Sequence, residues 1–126
     1  MAGWLLLLEE EPEEREDLAE LMKVSGLEIT ACANVEEANA AIESHGRPNF
    51  IVTDLAMLEI SGLSFVAEVR RRPGCETVPV AFLTDAEPAV WADIADPVVR
   101  KPVDAEHLLN LVAEHCTRTT KDTQAV

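Results

Sequence analysis

The chain has 126 residues, 48% of them hydrophobic, so it is long enough for one domain with an ordinary core. Its formal net charge of −14 at pH 7 argues against nucleic-acid binding, because affinity for a polyanion depends on lysine and arginine contacts to phosphates. No apolar stretch is long enough to span a membrane and the three cysteines are widely spaced, so we expect a cytoplasmic protein with reduced thiols and no membrane partner.

Five segments of the chain have the character of β-strands, and four of them are continuous apolar runs. Runs of this length without alternation are typical of strands buried on both faces of a parallel sheet. In chain order, the predicted strands cover roughly residues 4–8, 27–32, 49–53, 78–83 and 97–100. Each of the four apolar runs, which exclude 27–32, leads into a polar residue at its carboxyl end.

Helical signals separate these strands. Pro12 opens the first helix and Gly26 stops it. Asn34, with Glu37 three residues later, resembles a capping pair at the start of the second helix. The residues expected to face the core from all the helices are Leu18, Leu21, Met22, Val35, Ala38, Ala41, Ile42, Leu63, Val66, Val69 or Phe65, Leu108, Leu111 and Val112.

The three remaining helices differ in length. The third is expected at about 63–72, and the run of three arginines at its end, Arg70 to Arg72, suits the negative end of a helix. The fourth is expected to be short, at about 88–95, because prolines bracket it. Asp104 caps the last helix.

The alternation of strands and helices predicts a doubly wound α/β fold. Because crossovers between parallel strands are right-handed, the first choice is a flavodoxin-like five-stranded sheet in the order 2-1-3-4-5, with helices on both faces and a shortened fourth helix. We expect residues 1–116 to form this domain and the polar residues 117–126 to form a flexible tail.

The carboxyl ends of parallel strands meet at one edge of a sheet, where such folds bind their ligands. Glu9 and Glu10 follow the first strand, Asp54 and Thr84 end the third and fourth, and Lys101 follows the fifth. Three acidic side chains, a hydroxyl and an amine are therefore expected to converge. This combination suits a divalent cation and a phosphoryl group.

In this order and on these strands, the residues resemble the receiver domain of bacterial response regulators over roughly residues 4–116. The resemblance implies that Asp54 is the phosphoacceptor and that Thr84 and Lys101 contact the phosphoryl group. The ligands that it implies for Mg²⁺ are Glu9, Glu10, Asp54 and the backbone carbonyl of Ala56. Further positions at the family's spacing are Pro12, Arg15, Met57, Gly62 and Pro102.

Several positions depart from the family's pattern and indicate an atypical or degenerate member. Glu9 and Glu10 stand where aspartates are usual, and the extra methylene predicts weak Mg²⁺ binding because this ion tolerates displaced ligands poorly. Asp85 stands where a small residue is normal, and it either narrows access to the phosphoacceptor or caps the next helix. Leu58 replaces a proline. Val98 replaces the aromatic residue that moves on phosphorylation and the fourth helix is short, so we expect a weakened surface response.

The resemblance leaves two functions open. One is a single-domain response regulator that accepts a phosphoryl group on Asp54 in a two-component phosphorelay, and the other is a pseudo-receiver that binds proteins independently of phosphorylation. The first implies a histidine kinase or phosphotransfer protein as donor and a downstream protein as target, with a homodimer as an option. Its only catalysis would be self-phosphorylation and slow autodephosphorylation. An unrelated Mg²⁺-dependent phosphohydrolase fits less well, because Ala56 stands two positions after Asp54 where a second acid is expected.

Overall fold

Strands and helices alternate along the described part of the chain, which comprises the backbone of residues 3–125 and the side chains of residues 3–115 in a computed structural model. The elements are β1 (Trp4–Leu8), α1 (Pro12–Met22), β2 (Glu28–Cys32), α2 (Val35–His45), β3 (Phe50–Asp54), α3 (Gly62–Val69), β4 (Val80–Thr84), α4 (Pro88–Trp91), β5 (Val98–Arg100) and α5 (Ala105–Ala125). One turn of 3₁₀-helix, Lys23–Ser25, follows α1.

All neighbouring strands pair in parallel, and their order across the sheet is β2-β1-β3-β4-β5. This confirms the predicted flavodoxin-like topology. The fourth helix is shortened as expected, and at 4 residues it is shorter than the predicted span of 88–95.

Two hydrophobic cores lie on opposite faces of the sheet, because successive side chains of a strand point to opposite sides. The four leucines of β1 alternate between them, with Leu6 and Leu8 in one core and Leu5 and Leu7 in the other. The first core is completed by helical residues that include Ala38, Ile42, Phe65, Val66 and Val69. The second is completed by helical residues that include Leu18, Met22, Leu108 and Val112. The predicted packing of helices on both faces is confirmed.

The third helix differs from its predicted position. It begins at Gly62 and ends at Val69, instead of spanning 63–72. Its buried residues are Gly62, Phe65, Val66 and Val69. This spacing forms one face of a helix, so Leu63, which is one position from Gly62, points away from the core and is 43% exposed. The prediction that Leu63 faces the core was therefore wrong.

We expected the arginines after α3 to face the carbonyl end of that helix, but Arg70 makes a different contact. Its two terminal nitrogens donate to the two carboxylate oxygens of Asp96 at 3.1 and 3.0 Å, and Nη2 also donates to the Val78 carbonyl at 2.8 Å. This fork ties the end of α3 to the segments that precede β4 and β5.

The predicted helix caps at Asn34 and Asp104 are confirmed. Asn34 Oδ1 accepts the N–H of Glu37 at 2.8 Å, and Glu37 Oε1 in turn accepts the N–H of Ala33 at 2.9 Å. At the start of α5, Asp104 Oδ1 accepts the N–H of His107 at 3.3 Å. The Asn34 and Asp104 side chains each satisfy a backbone donor that a helix leaves unpaired at its first turn.

The predicted boundary after residue 116 falls inside α5, whose backbone is helical through Ala125. Side chains from residue 116 onward lie outside the described residues, so the division into a domain and a flexible tail stays a prediction. Within the described residues, every helix falls short of the length and apolar composition that crossing a membrane requires.

Replacing Arg70 by glutamine is expected to lower the free energy of unfolding by about 1–2 kcal/mol, because it removes the fork on Asp96 and the bond to the Val78 carbonyl. Solvent moderates the loss, since the two charged side chains are 29% and 28% exposed. The exposed neighbour Arg71 provides a matched control as Arg71→Gln. Equal urea midpoints for the two variants would contradict a structural role of Arg70.

Candidate functional site

The register of the parallel sheet brings four polar residues to its carboxyl edge. Glu9 follows β1, Asp54 ends β3, Thr84 ends β4 and Lys101 follows β5. Glu9, Asp54 and Thr84 are only 2%, 6% and 7% exposed. Because buried polar groups are costly without partners, the contacts between these residues decide what the site can do.

The Lys101 ammonium supplies the positive charge of this edge. Its Nζ lies 2.9 Å from Asp54 Oδ1, 3.1 Å from Glu14 Oε2 and 3.4 Å from Glu9 Oε1. The contacts to the two glutamates are aligned hydrogen bonds, whereas Asp54 Oδ1 is buried at ion-pair distance without an aligned donor. Burial lowers the pKa of Lys101, but the contact and charge of Asp54, then Glu14 and Glu9, outweigh burial and raise that pKa above its usual range.

Glu9 is the buried member of the acidic pair. Its Oε2 accepts the N–H of Glu11 at 3.0 Å, and Arg15 Nη1 donates to the Glu9 carbonyl at 3.0 Å. Burial raises the pKa of the Glu9 carboxyl, and the adjoining Asp54 carboxyl raises it further, while the Glu11 N–H and Lys101 act in the opposite direction. Two carboxyl groups that lie together in a buried site resist being ionised at the same time.

Glu10, the other member of the pair, is exposed and makes a different contact. Its two carboxylate oxygens accept the backbone N–H of Leu58 at 3.0 and 3.1 Å. Leu58 lies in the loop between β3 and α3, so Glu10 holds this loop against the end of β1. The acidic pair is therefore divided between the buried site and the loop beside it.

The implied Mg²⁺ ligands are only partly assembled. Glu9 and Asp54 lie together, and Asp54 Oδ1 is an acceptor without an aligned donor, which suits a hard cation. Among the residues described, no group of three or more histidine, cysteine, aspartate or glutamate side chains is arranged to hold a metal ion. The carboxylates of Glu9 and Asp54 are therefore placed to bind such an ion. Glu10 could join them only after releasing the N–H of Leu58.

Thr84 joins the site to the loop that follows β4. Its Oγ1 accepts the N–H of Ala86 at 3.1 Å, and the Ala86 carbonyl accepts the indole N–H of Trp91 at 3.0 Å. Because the Thr84 oxygen acts as an acceptor in this contact, the hydroxyl hydrogen stays available for a ligand.

Asp85 does not cap the helix that follows it. That helix begins at Pro88, and its N-cap position is Glu87, which makes no side-chain cap. Asp85 itself is exposed. The other alternative, that its carboxylate narrows access to Asp54, stays a prediction.

Sequence reasoning did not identify Glu14 as a partner of Lys101, nor what Gly62 does. Gly62 donates its N–H to the Leu55 carbonyl at 2.7 Å, and a Cβ at this position would collide with the Asp54 carbonyl. A glycine at the family's spacing was a signal for this close approach. For Glu14 there was no such signal, because the run of glutamates between residues 9 and 14 offers several equivalent candidates.

Comparison with known proteins gives consistent matches. Residues 5–113 match the family described as response regulator receiver domain. The chain is 30% identical over 118 residues to an uncharacterized 14.6 kDa protein in the sodA1 3′ region of Leptolyngbya boryana, covering 89% of this chain and 88% of that protein. It is 30% identical over 113 residues to protein Rrf1 of Nitratidesulfovibrio vulgaris, covering 89% and 81%. The structure of the chemotaxis protein CheY4 of Vibrio cholerae shares the fold, with a TM-score of 0.78, 24% identity, and coverage of 90% and 98%.

Glu9→Gln is expected to stabilise the protein at pH 7, because the raised pKa of the buried Glu9 carboxyl makes its ionised form unfavourable. The native state keeps this proton to a higher pH than the unfolded chain, so stability falls as pH rises from the ordinary pKa of 4.5 through the folded value. The free energies of unfolding of the variant and the wild type should therefore be similar below pH 4.5. They should differ increasingly as pH rises through the folded pKa of Glu9.

Urea denaturation at a series of pH values measures this difference, and Glu16→Gln, on the exposed side of α1, controls for the change in net charge. If Glu9→Gln were less stable than the wild type at pH 7, the ion pair with Lys101 would outweigh the penalty of burial.

Proposed function

The chain belongs to the response regulator receiver domain family, and from this premise we propose that it accepts a phosphoryl group on Asp54 and signals through protein–protein contacts. Receiver domains are in general signalling domains rather than enzymes, and they interact with histidine kinases and downstream effectors. The donor that we propose is a histidine kinase or a phosphotransfer protein. Self-phosphorylation from a small donor and slow loss of the phosphoryl group are the only catalysis in this proposal.

The environment of the Asp54 carboxylate is the observation that carries this proposal. Oδ1 is buried, lacks an aligned donor and lies 2.9 Å from the Lys101 ammonium. In the reaction, an oxygen of Asp54 attacks phosphorus. A P–O bond to Asp54 forms while the bond to the donor's leaving group breaks, and the leaving group keeps the electron pair. Lys101 would neutralise charge on the phosphoryl oxygens, and the Thr84 hydroxyl would donate to one of them.

Receiver domains in general bind Mg²⁺ in their acidic pocket. In this chain, Glu9, Asp54 and the carbonyl of Ala56 would hold the ion, joined by Glu10 after it releases the Leu58 N–H. The bound ion would supply further neutralisation of the phosphoryl oxygens.

A second candidate, the pseudo-receiver, is favoured by how the charged side chains are engaged. Lys101 is shared among Asp54, Glu14 and Glu9, and the carboxylate of Glu10 is bound to the loop. A site held in this way would accept a phosphoryl group poorly, while the fold still presents surfaces to a partner. For both candidates we propose a protein partner in the cytoplasm, with no nucleic acid and no membrane, and a homodimer as an option.

Incubation with a small acyl phosphate and Mg²⁺ is expected to add the mass of one phosphoryl group to the wild type and none to Asp54→Asn. The expectation follows from the position of Asp54 as the buried carboxylate paired with Lys101. Asp85→Asn removes a neighbouring exposed carboxylate and should keep the full increase in mass. Persistence of the increase in Asp54→Asn would refute the assignment, and its absence from the wild type would select the pseudo-receiver.

Replacing both Glu9 and Glu10 by aspartate is expected to tighten Mg²⁺ binding severalfold, because shorter carboxylates meet the strict octahedral geometry of this ion with less displacement. Calorimetric titration of the unmodified protein measures the affinity directly. The double variant Glu13→Asp with Glu16→Asp makes the same chemical change on the exposed part of α1. Unchanged or weaker binding in the Glu9 and Glu10 variant would refute the geometric argument.

A further inference from the structure

Glu14 is the most accessible of the three carboxylates around Lys101. It projects from the first turn of α1, and its side chain is 44% exposed, against 2% for Glu9 and 9% for Asp54. Its Oε2 accepts an aligned hydrogen bond from Lys101 Nζ at 3.1 Å, shorter than the 3.4 Å bond to Glu9. Asp54 Oδ1, which is buried, lies closer still to the same ammonium, at 2.9 Å.

This arrangement shares the lysine between the reacting carboxylate, at 2.9 Å, and two glutamates, at 3.1 and 3.4 Å. An ammonium has three N–H donors, and three carboxylates lie within 3.4 Å of it: Asp54, Glu9 after β1 and Glu14 in α1. A phosphoryl group on Asp54 needs the same donors for its own oxygens. Any carboxylate that binds the ammonium therefore competes with the phosphoryl group for it.

We propose that Glu14 is a positioning residue that holds Lys101 against α1 and competes with an incoming phosphoryl group for the ammonium. The inference rests on the proposed role of Asp54 as phosphoacceptor. Glu9 is buried and fixed by the N–H of Glu11, so it cannot withdraw easily. Glu14 is half in solvent and can turn away once a stronger anion arrives, so it slows phosphoryl acceptance without blocking it.

The charge balance supports the same role. One ammonium faces three carboxyl groups, so an anionic phosphodonor must approach a site that is short of positive charge. Solvent-exposed ion pairs weaken as salt is added. Because Glu14 is the exposed member, its restraint on Lys101 should fade at high ionic strength.

The contact between Lys101 and Glu14 is tested first in protein that carries no phosphoryl group. NMR of the Lys101 side-chain Nζ protons should show faster exchange with water and a shifted Nζ resonance in Glu14→Gln. Glu13→Gln, one position away on an exposed site of the same helical turn, changes net charge equally and should leave the Lys101 signals as in the wild type. Lys101 signals that respond equally to both variants would overturn the positioning role.

The competition is tested by the rate of Asp54 modification with a small acyl phosphate. At low salt, Glu14→Gln should react about threefold faster than Glu13→Gln, a ratio in keeping with a partly exposed ion pair. The ratio should approach one at high salt. A wild type that is modified while Glu14→Gln shows no gain over Glu13→Gln would overturn the competition alone. Absence of modification in every variant would overturn both the competition and the proposed phosphoacceptor.

Discussion

Two carboxyl groups are buried at the ends of neighbouring strands, and burying them is costly without a cation nearby. This constraint determines the contacts at the carboxyl edge of the sheet. Glu9 and Asp54 lie together because β1 and β3 are adjacent and in parallel register. Lys101 reaches them from the end of β5, and its ammonium offsets part of the penalty for burying charge there. The site therefore depends on the strand order, which joins segments that are far apart in the sequence.

Much of this arrangement could be predicted from the sequence, because strand periodicity and the rule for carboxyl edges determine where Asp54, Thr84 and Lys101 lie. Contacts that depend on the orientation of a single side chain could not be predicted from the sequence. The bond from Leu58 to Glu10 spans 48 positions, and no pattern shows which glutamate of the acidic run turns to the loop or to Lys101. The exposure of Leu63 depended in the same way on the rotation of α3 about its axis, which buries Gly62, Phe65, Val66 and Val69.

The path from the site to the surface also differs from what the family resemblance implies. Val98, which stands where an aromatic residue is usual, is partly buried against the first core. The loop after β4 is instead closed by Trp91, whose indole bonds the Ala86 carbonyl while the Ala86 N–H bonds Thr84. Since α4 has only 4 residues, a movement of Thr84 would act on a small surface.

Chemical localisation of the phosphoryl group tests the central claim most directly. Borohydride reduces the acyl phosphate of an aspartate to homoserine, so peptide mapping after phosphodonor treatment identifies the modified residue. Homoserine at position 54 is the result expected from a buried carboxylate that is paired with Lys101 and free of an aligned donor. Homoserine at Asp85 or another exposed carboxylate, with position 54 unchanged, would contradict it.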